Sequence, residues 1–151
     1  MPQTTNLQKG DCFSFRLSNG YYGAAVVLEL GFYSGNTEPR VLIAITSIYQ
    51  TASPTPDEIA ASNLLVANFL DYNDLQIAHF SLEDLTGAEN ISLSLIGKLP
   101  VAANYPNFED FCFSGSWDFI PSDLMGQKEW ELDSKPPITE ISIQQLLTKG
   151  L

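Results

Sequence analysis

The sequence near the start of the chain is typical of a β-hairpin. Asn19-Gly20 favours a tight hairpin turn, and apolar and polar residues alternate before it, with Phe13 and Phe15 on one face. After the turn, residues 21–30 are apolar on both faces, which is typical of a strand in the middle of a sheet or between two layers. The start of the chain therefore predicts two antiparallel strands, the second of them buried on both sides.

Further strand signals follow the hairpin. Residues 40–49 are rich in β-branched side chains and predict a third strand. Residues 91–101 alternate and predict another strand, residues 75–81 carry a weaker strand pattern, and residues 102–137 show no regular pattern. Three consecutive strands joined by short turns predict an antiparallel meander.

Two helix starts can be recognised from their capping residues. Residues 55–58 read Thr-Pro-Asp-Glu, a capping box with proline at the first helical position, and predict a short helix that ends near Asn63. Ser142 and Gln145 form a second capping pattern, and Gly150 is placed as a helix stop. We therefore predict one α+β domain over residues 1–151, mostly antiparallel sheet that can curl toward a barrel, with two or three short helices.

The charge of the chain is strongly one-sided. Lys and Arg total 7 against 18 for Asp and Glu, which gives a formal net charge of −11. Nucleic acid and anionic membranes both attract basic surfaces, so neither is expected as a partner. No segment reaches the roughly 18 consecutive apolar residues of a membrane helix, and the first residues do not resemble a signal peptide. We therefore expect a cytoplasmic protein.

The sequence contains little that suggests catalysis or metal binding. Cys12 and Cys112 lack metal-site spacing, and each lies in a buried-strand pattern that indicates a reduced core cysteine. His79, the single histidine, lies in an apolar run, which is typical of a hydrogen-bonded structural histidine. We expect no enzyme, no metal and no cofactor. An enzyme that uses Cys112 or His79 is the competing hypothesis.

The segment of residues 105–133 mixes acidic and aromatic side chains. Between residues 109 and 140, eight acidic residues stand against two lysines, so more than half of the net charge lies in about a fifth of the sequence. Aromatic side chains supply much of the binding energy of protein interfaces, and charges steer the encounter. The alternative is that the aromatic residues fill the core and the acids are merely solvated, which explains the clustering of acids less well.

We predict that this acidic and aromatic segment binds a protein partner. The predicted contact residues are Tyr105, Glu109, Asp110, Trp117, Asp118, Asp123, Glu129 and Glu131. The sequence leaves open whether the protein is a monomer or a dimer.

Two stretches resemble a known family. Residues 9–28 follow the pattern K-G-D-x-F-x-F-x-L-x-x-G-x-Y-G-x-A-x-V-L, and residues 96–101 read IGKLPV. Both are similar to recognisable segments of the immunity protein 26 family of bacterial polymorphic toxin systems. The resemblance implies a cytoplasmic, non-catalytic, mostly β protein that neutralises the toxin of a neighbouring gene by binding it.

The acidic charge agrees with this resemblance. Many secreted toxin domains are nucleases with basic clefts, and an acidic protein can place carboxylates where the nucleic acid places phosphates. We therefore expect an immunity protein whose acidic, aromatic surface binds a cognate toxin domain, such as a nuclease. The alternative is a small barrel-like module that binds a protein or peptide outside any toxin system.

Overall fold

Strand pairing joins both halves of the chain into one sheet. The computed structural model describes residues 7–32, 39–68, 74–81, 93–105, 113–114, 117, 119–134 and 141–150. The strands are β1 (Asp11–Arg16), β2 (Tyr22–Phe32), β3 (Pro39–Ile45), β4 (Val66–Ala67), β5 (Asp74–Leu75), β6 (Ile77–Ser81), β7 (Ser94–Lys98) and β8 (Phe113–Ser114). The helices within these residues are α1 (Pro56–Ala60), α2 (Phe119–Asp133) and α3 (Ile143–Thr148).

The main sheet is open and mostly antiparallel. The order of the described strands is β7-β1-β2-β3-β6-β8, and among their pairings only the last, between β6 and the short β8, is parallel. Strands β4 and β5 form a separate two-stranded sheet. The predicted α+β class is therefore confirmed, but the sheet has two edges, β7 and β8, and does not close into a barrel.

The predicted hairpin is confirmed. Strands β1 and β2 pair with Cys12 opposite Val26 and Phe15 opposite Gly23. Gly20 has a φ of +87°, a backbone conformation that glycine adopts without steric cost, and this explains why the turn occurs here. The chain then continues through β3, which pairs with β2 around an irregularity between Val27 and Glu29.

The sheet buries apolar side chains on both faces, as the two-sided pattern of β2 predicts. One face, the α2 face, packs against helix α2; its buried residues include Phe13, Phe15, Val27 and Ile43. The opposite face, the α3 face, packs against helices α1 and α3. Its buried residues include Cys12, Val26, Leu28, Leu42 and Ile77. Alternation along each strand sends successive side chains to opposite faces, so the sheet is the middle layer of three.

Both predicted helix caps are present. The Thr55 hydroxyl accepts from the Glu58 amide at 3.2 Å and the Glu58 carboxylate accepts from the Thr55 amide at 3.0 Å, which completes the capping box of α1. The Ser142 hydroxyl accepts from the Gln145 amide at 3.1 Å and begins α3. Helix α1 ends at Ala60, earlier than the predicted end near Asn63.

The prediction for residues 102–137 is wrong in one important respect. This stretch contains α2, a helix of 15 residues, together with β8. Gly126 and the scattered apolar residues mask its helical pattern in the sequence, because an interior glycine weakens a helix and the apolar positions do not form one stripe. The strands predicted over 40–49 and 91–101 are shorter than expected.

Candidate binding surface

Helix α2 is held on the sheet by one narrow line of buried side chains. Ile120, Leu124 and Gln127 follow a spacing of four and three residues and are all buried. Pro121 is tolerated because it lies in the first turn, where a backbone N–H has no partner inside the helix. This line determines which side of α2 faces outward.

Gly23 of β2 allows α2 to lie close to the sheet. A Cβ atom added at this position would lie 2.5 Å from the ring of Phe15 and 2.6 Å from a methyl carbon of Leu124. Sequence reasoning links such a glycine to a bend or to a close backbone approach. The structure shows instead that two side chains, one from β1 and one from α2, occupy the space above it.

Helix α2 exposes two large apolar side chains, one at each end, and two acids near its C-terminal end. Leu132 is 82% exposed and Phe119 is 58% exposed, the largest values among the exposed apolar side chains of the described residues. Glu129 and Asp133 are also exposed, and neither forms an ion pair within the part of the chain that the structure describes. We call these four residues the α2 outer surface.

The other charged residues near the end of α2 pair with each other. Lys128 Nζ lies 3.5 Å from a carboxylate oxygen of Glu131, and the Gln127 side-chain amide donates to the other Glu131 oxygen at 3.0 Å. The same amide donates to Asn68 at 2.9 Å, next to β4. Lys128 therefore does not neutralise the outward acids, and Glu131, a predicted contact residue, is held by contacts inside the protein.

Tyr105 lies in the core rather than on the surface. It is 2% exposed, and its hydroxyl donates to the backbone carbonyl of Leu146 in α3. Burial, with a contribution from Glu29, raises the pKa of the Tyr105 phenol to about 12. Tyr105 therefore anchors the segment before residue 106 to the α3 face of the sheet.

Trp117 is also buried, but on the opposite side of the sheet. It is 1% exposed, belongs to the core beneath α2, and stacks on Phe80 with 4.7 Å between ring centroids. Among the described residues, its buried indole N–H has no hydrogen-bond partner. The predicted surface role of Tyr105 and Trp117 is therefore wrong, because the sheet separates them and each fills a core.

The remaining predicted contact residues differ in how far the structure describes them. Glu129 is exposed on α2, and Asp123 is partly buried in the same helix. Glu109, Asp110 and Asp118 lie outside the described residues, so their part of the prediction stays a prediction. Of the eight predicted residues, Glu129 is the one that the structure describes as exposed.

His79 lies in a buried hydrogen-bonded pair. Its Nδ1 atom accepts from Arg40 Nε at 2.6 Å, and Arg40 Nη2 donates to the His79 backbone carbonyl at 3.1 Å. Burial first, and the Arg40 charge second, lower the pKa of His79 to about 4. The neutral imidazole therefore acts as a hydrogen-bond acceptor that joins β3 to β6, as expected of a structural histidine.

The cysteine that the structure describes, Cys12, is fully buried. Burial, with a contribution from Asp11, raises the pKa of the Cys12 thiol to about 12, so the thiol stays protonated. Cys112 lies outside the described residues, and the hypothesis of an enzyme that uses it stays untested. Among the described residues, no three His, Cys, Asp or Glu side chains group together as metal ligands would.

Sequence reasoning missed Leu132 and Phe119 as candidate contact residues. Their exposure can be inferred only once α2 is known to be a helix. Helical spacing then places Ile120, Leu124 and Gln127 on the side that faces the sheet, and Phe119 and Leu132 away from that side. Without the helix, Phe119 is one aromatic residue among several and Leu132 is one leucine between two acids.

Comparison of the chain with models of known protein families, with curated proteins and with solved structures found no match. The resemblance to the immunity protein 26 family therefore stays a prediction. Within the described part of the chain, no helix combines the length and the apolar character that crossing a membrane requires.

Proposed function

We propose that this protein is a cytoplasmic immunity protein that binds and neutralises a cognate toxin domain. The single observation that supports this best is the α2 outer surface, where exposed acids stand next to exposed apolar side chains and the neighbouring lysine is paired elsewhere. Interfaces combine an apolar centre with charges that select the partner, and this surface has both parts.

The sign of the charge favours a basic partner. With a net charge of −11, the whole protein attracts a cationic surface, and the local acids of α2 add to this field at short range. A nuclease toxin presents such a surface where it binds phosphates. Glu109, Asp110 and Asp118 belong to the same proposal as additional acids of the interface.

The proposal is tested by co-expression with the toxin domain encoded by the adjacent gene. The expected result is that growth is rescued and that the two proteins purify as a stoichiometric complex. Glu129→Lys should weaken the complex about tenfold, because it replaces an attractive charge by a repulsive one inside the interface. The readout is the dissociation constant at physiological ionic strength.

Asp57→Lys serves as the matched control. Asp57 is exposed in α1, which packs on the opposite face of the sheet, and its reversal changes the net charge by the same amount. We expect this variant to bind within about twofold of the natural protein, because only long-range steering changes. Equal weakening by both variants would overturn the placement of the interface on α2.

A toxin that neither binds the protein nor loses its toxicity would overturn the function itself. That outcome would instead favour the alternative, a module that binds a protein or peptide outside any toxin system. The two hypotheses are thus separated by the wild-type result, before any variant is made.

A further inference from the structure

Three residues of the α2 outer surface, Phe119, Glu129 and Asp133, lie along one side of the helix. Positions 119, 122, 126, 129 and 133 follow steps of three, four, three and four residues and therefore share one side of the helix. At 1.5 Å per residue, this side is about 21 Å long. Leu132 lies beside it, three positions after Glu129.

Of the two apolar side chains, Phe119 lies at the start of this side and Leu132 lies beside its other end. Phe119 begins the helix and Leu132 lies one residue before its last position, so the two anchors are separated by almost the full length of α2. Between them, Ser122 and Gly126 have small or absent side chains, so a partner can approach the helix backbone in the middle. The surface thus has two protruding ends and a low centre.

Nothing in the fold of the described chain requires these apolar side chains to face outward. The buried line of α2 already supplies the contacts with the sheet, and α3 shows that this protein can make a helix whose apolar residues are all buried. A single exposed leucine is ordinary. Leu132 lies next to two acids without ion pairs among the described residues, and Phe119 exposes a second large apolar side chain at the other end of the same helix. We infer from these two exposed side chains that α2 contacts another molecule along its length.

Resting on the proposed function, we propose that α2 docks into an apolar groove of the toxin domain that is rimmed by basic side chains. Phe119 and Leu132 are the anchors in the groove, and Glu129 and Asp133 meet the basic rim. This is the helix-in-groove mode of recognition, in which apolar anchors supply affinity and rim charges supply selection.

The charge of the protein favours a basic groove, rather than a second copy of the chain, as the partner of α2. Two copies docked through α2 would bring two molecules of net charge −11 together and would place their exposed acids near each other. Like charges juxtaposed in this way oppose association. A basic groove, in contrast, neutralises the same acids.

The proposal assigns different kinetic roles to the two kinds of residue. Apolar anchors that leave a desolvated groove act mainly on the dissociation rate, whereas exposed acids act mainly on the association rate and its salt dependence. If the apolar residues did not contact the partner, only the variants of the acids would change the kinetics, through the association rate and its salt dependence.

The experiment measures association and dissociation rates for the toxin domain encoded by the adjacent gene. Leu132→Gln and Phe119→Gln should each raise the dissociation rate about tenfold and change the association rate less than about threefold. Glu129→Gln should lower the association rate and reduce its dependence on salt, with little effect on dissociation. Leu95→Gln is the matched control, since Leu95 is an exposed leucine of β7, at one edge of the sheet.

The possible outcomes separate this inference from the proposed function. If the wild-type complex forms and both α2 variants dissociate as slowly as the Leu95→Gln control, helix docking is overturned and the immunity function stands. If the wild-type protein does not bind the toxin, both fail. If the protein alone is a dimer in sedimentation velocity and Leu132→Gln makes it a monomer, the surface is a self-interface and the docking inference is overturned. Because Leu132 is exposed, thermal unfolding of that variant should match the wild type.

Discussion

Helices α2 and α3 cover opposite faces of the same sheet but differ in how many of their apolar side chains are buried. Helix α3 buries Ile143, Leu146 and Leu147 and exposes only polar residues, Gln144, Gln145 and Thr148. Helix α2 buries a line of three residues and exposes Phe119 and Leu132. The contrast teaches that the sequence of α3 is explained by packing alone, whereas the outward residues of α2 are not.

The two faces of the sheet also differ in polarity. The α3 face holds the Tyr105 hydroxyl, bonded to α3, and strand alternation places the His79 side chain on this face with Ile77. The described residues of the α2 face are mostly apolar, and their buried polar groups, among them the indole N–H of Trp117 and the amide of Gln127, are uncharged. We therefore expect burial to dominate stability on the α2 face, and pH to act on stability mainly through the α3 face.

Two leucines of α2 should differ strongly in their contribution to the free energy of unfolding. Leu124→Ala should destabilise the protein by about 2–5 kcal/mol, because it opens a cavity beneath α2 where the side chain is fully buried. Leu132→Ala should change stability by less than about 0.5 kcal/mol, because the side chain is exposed. Chemical denaturation of both variants measures the difference. Similar losses in the two would mean that the outward side of α2 is a structural surface after all.

The next effect concerns the α3 face and pH. The folded protein keeps His79 neutral down to a pKa of about 4, whereas the unfolded chain protonates it near 6.5. This contribution to stability is complete above about pH 6.5 and is lost as the pH falls to about 4, and its size is up to about 3 kcal/mol.

His79→Asn isolates that contribution. The asparagine oxygen can accept from Arg40 in place of Nδ1, but it does not titrate. The free energy of unfolding of the variant should therefore fall less steeply than that of the wild type between pH 6.5 and 4. Parallel pH profiles would show that the histidine does not resist protonation in the fold.

The smallest expected effect tests how closely α2 lies on the sheet. Gly23→Ala should destabilise the protein by about 1–2 kcal/mol, because the new methyl group collides with Phe15 and Leu124. Replacing a glycine within a strand by alanine stabilises the fold by about 0.5–1 kcal/mol, which offsets part of the free-energy cost of this collision. Hydrogen exchange of the α2 amides should accelerate while that of the α3 amides stays close to wild type. Equal acceleration in both helices would contradict the separation of the two faces.

Local patterns allowed several elements to be predicted correctly from the sequence. The Asn19-Gly20 turn, the two-sided second strand and the caps at Thr55 and Ser142 depend on residues within a few positions of each other. Such signals are readable because the interactions that create them are local. The sequence did not predict that the sheet stays open, because closure into a barrel depends on whether the two edge strands pair with each other.

Helix α2 and its exposed residues could not be predicted because their local sequence pattern is weak. Its buried line is short, and an interior glycine and apolar residues on several sides blur the helical period. The acidic character of the segment was visible in the sequence, but which acids are exposed was not. Glu129 and Glu131 are two residues apart, yet the helix turns one outward and places the other beside Gln127 and Lys128.

Local patterns and composition were enough to predict the class of the fold, the first hairpin, two helix starts and the strongly negative charge of the protein. They did not predict that Tyr105 and Trp117 fill opposite cores or that Phe119 and Leu132 face outward. Burial depends on contacts between segments that are distant in the sequence. Tyr105 is buried by α3 and Trp117 by Phe80 and the core beneath α2, and no pattern near either residue contains those partners.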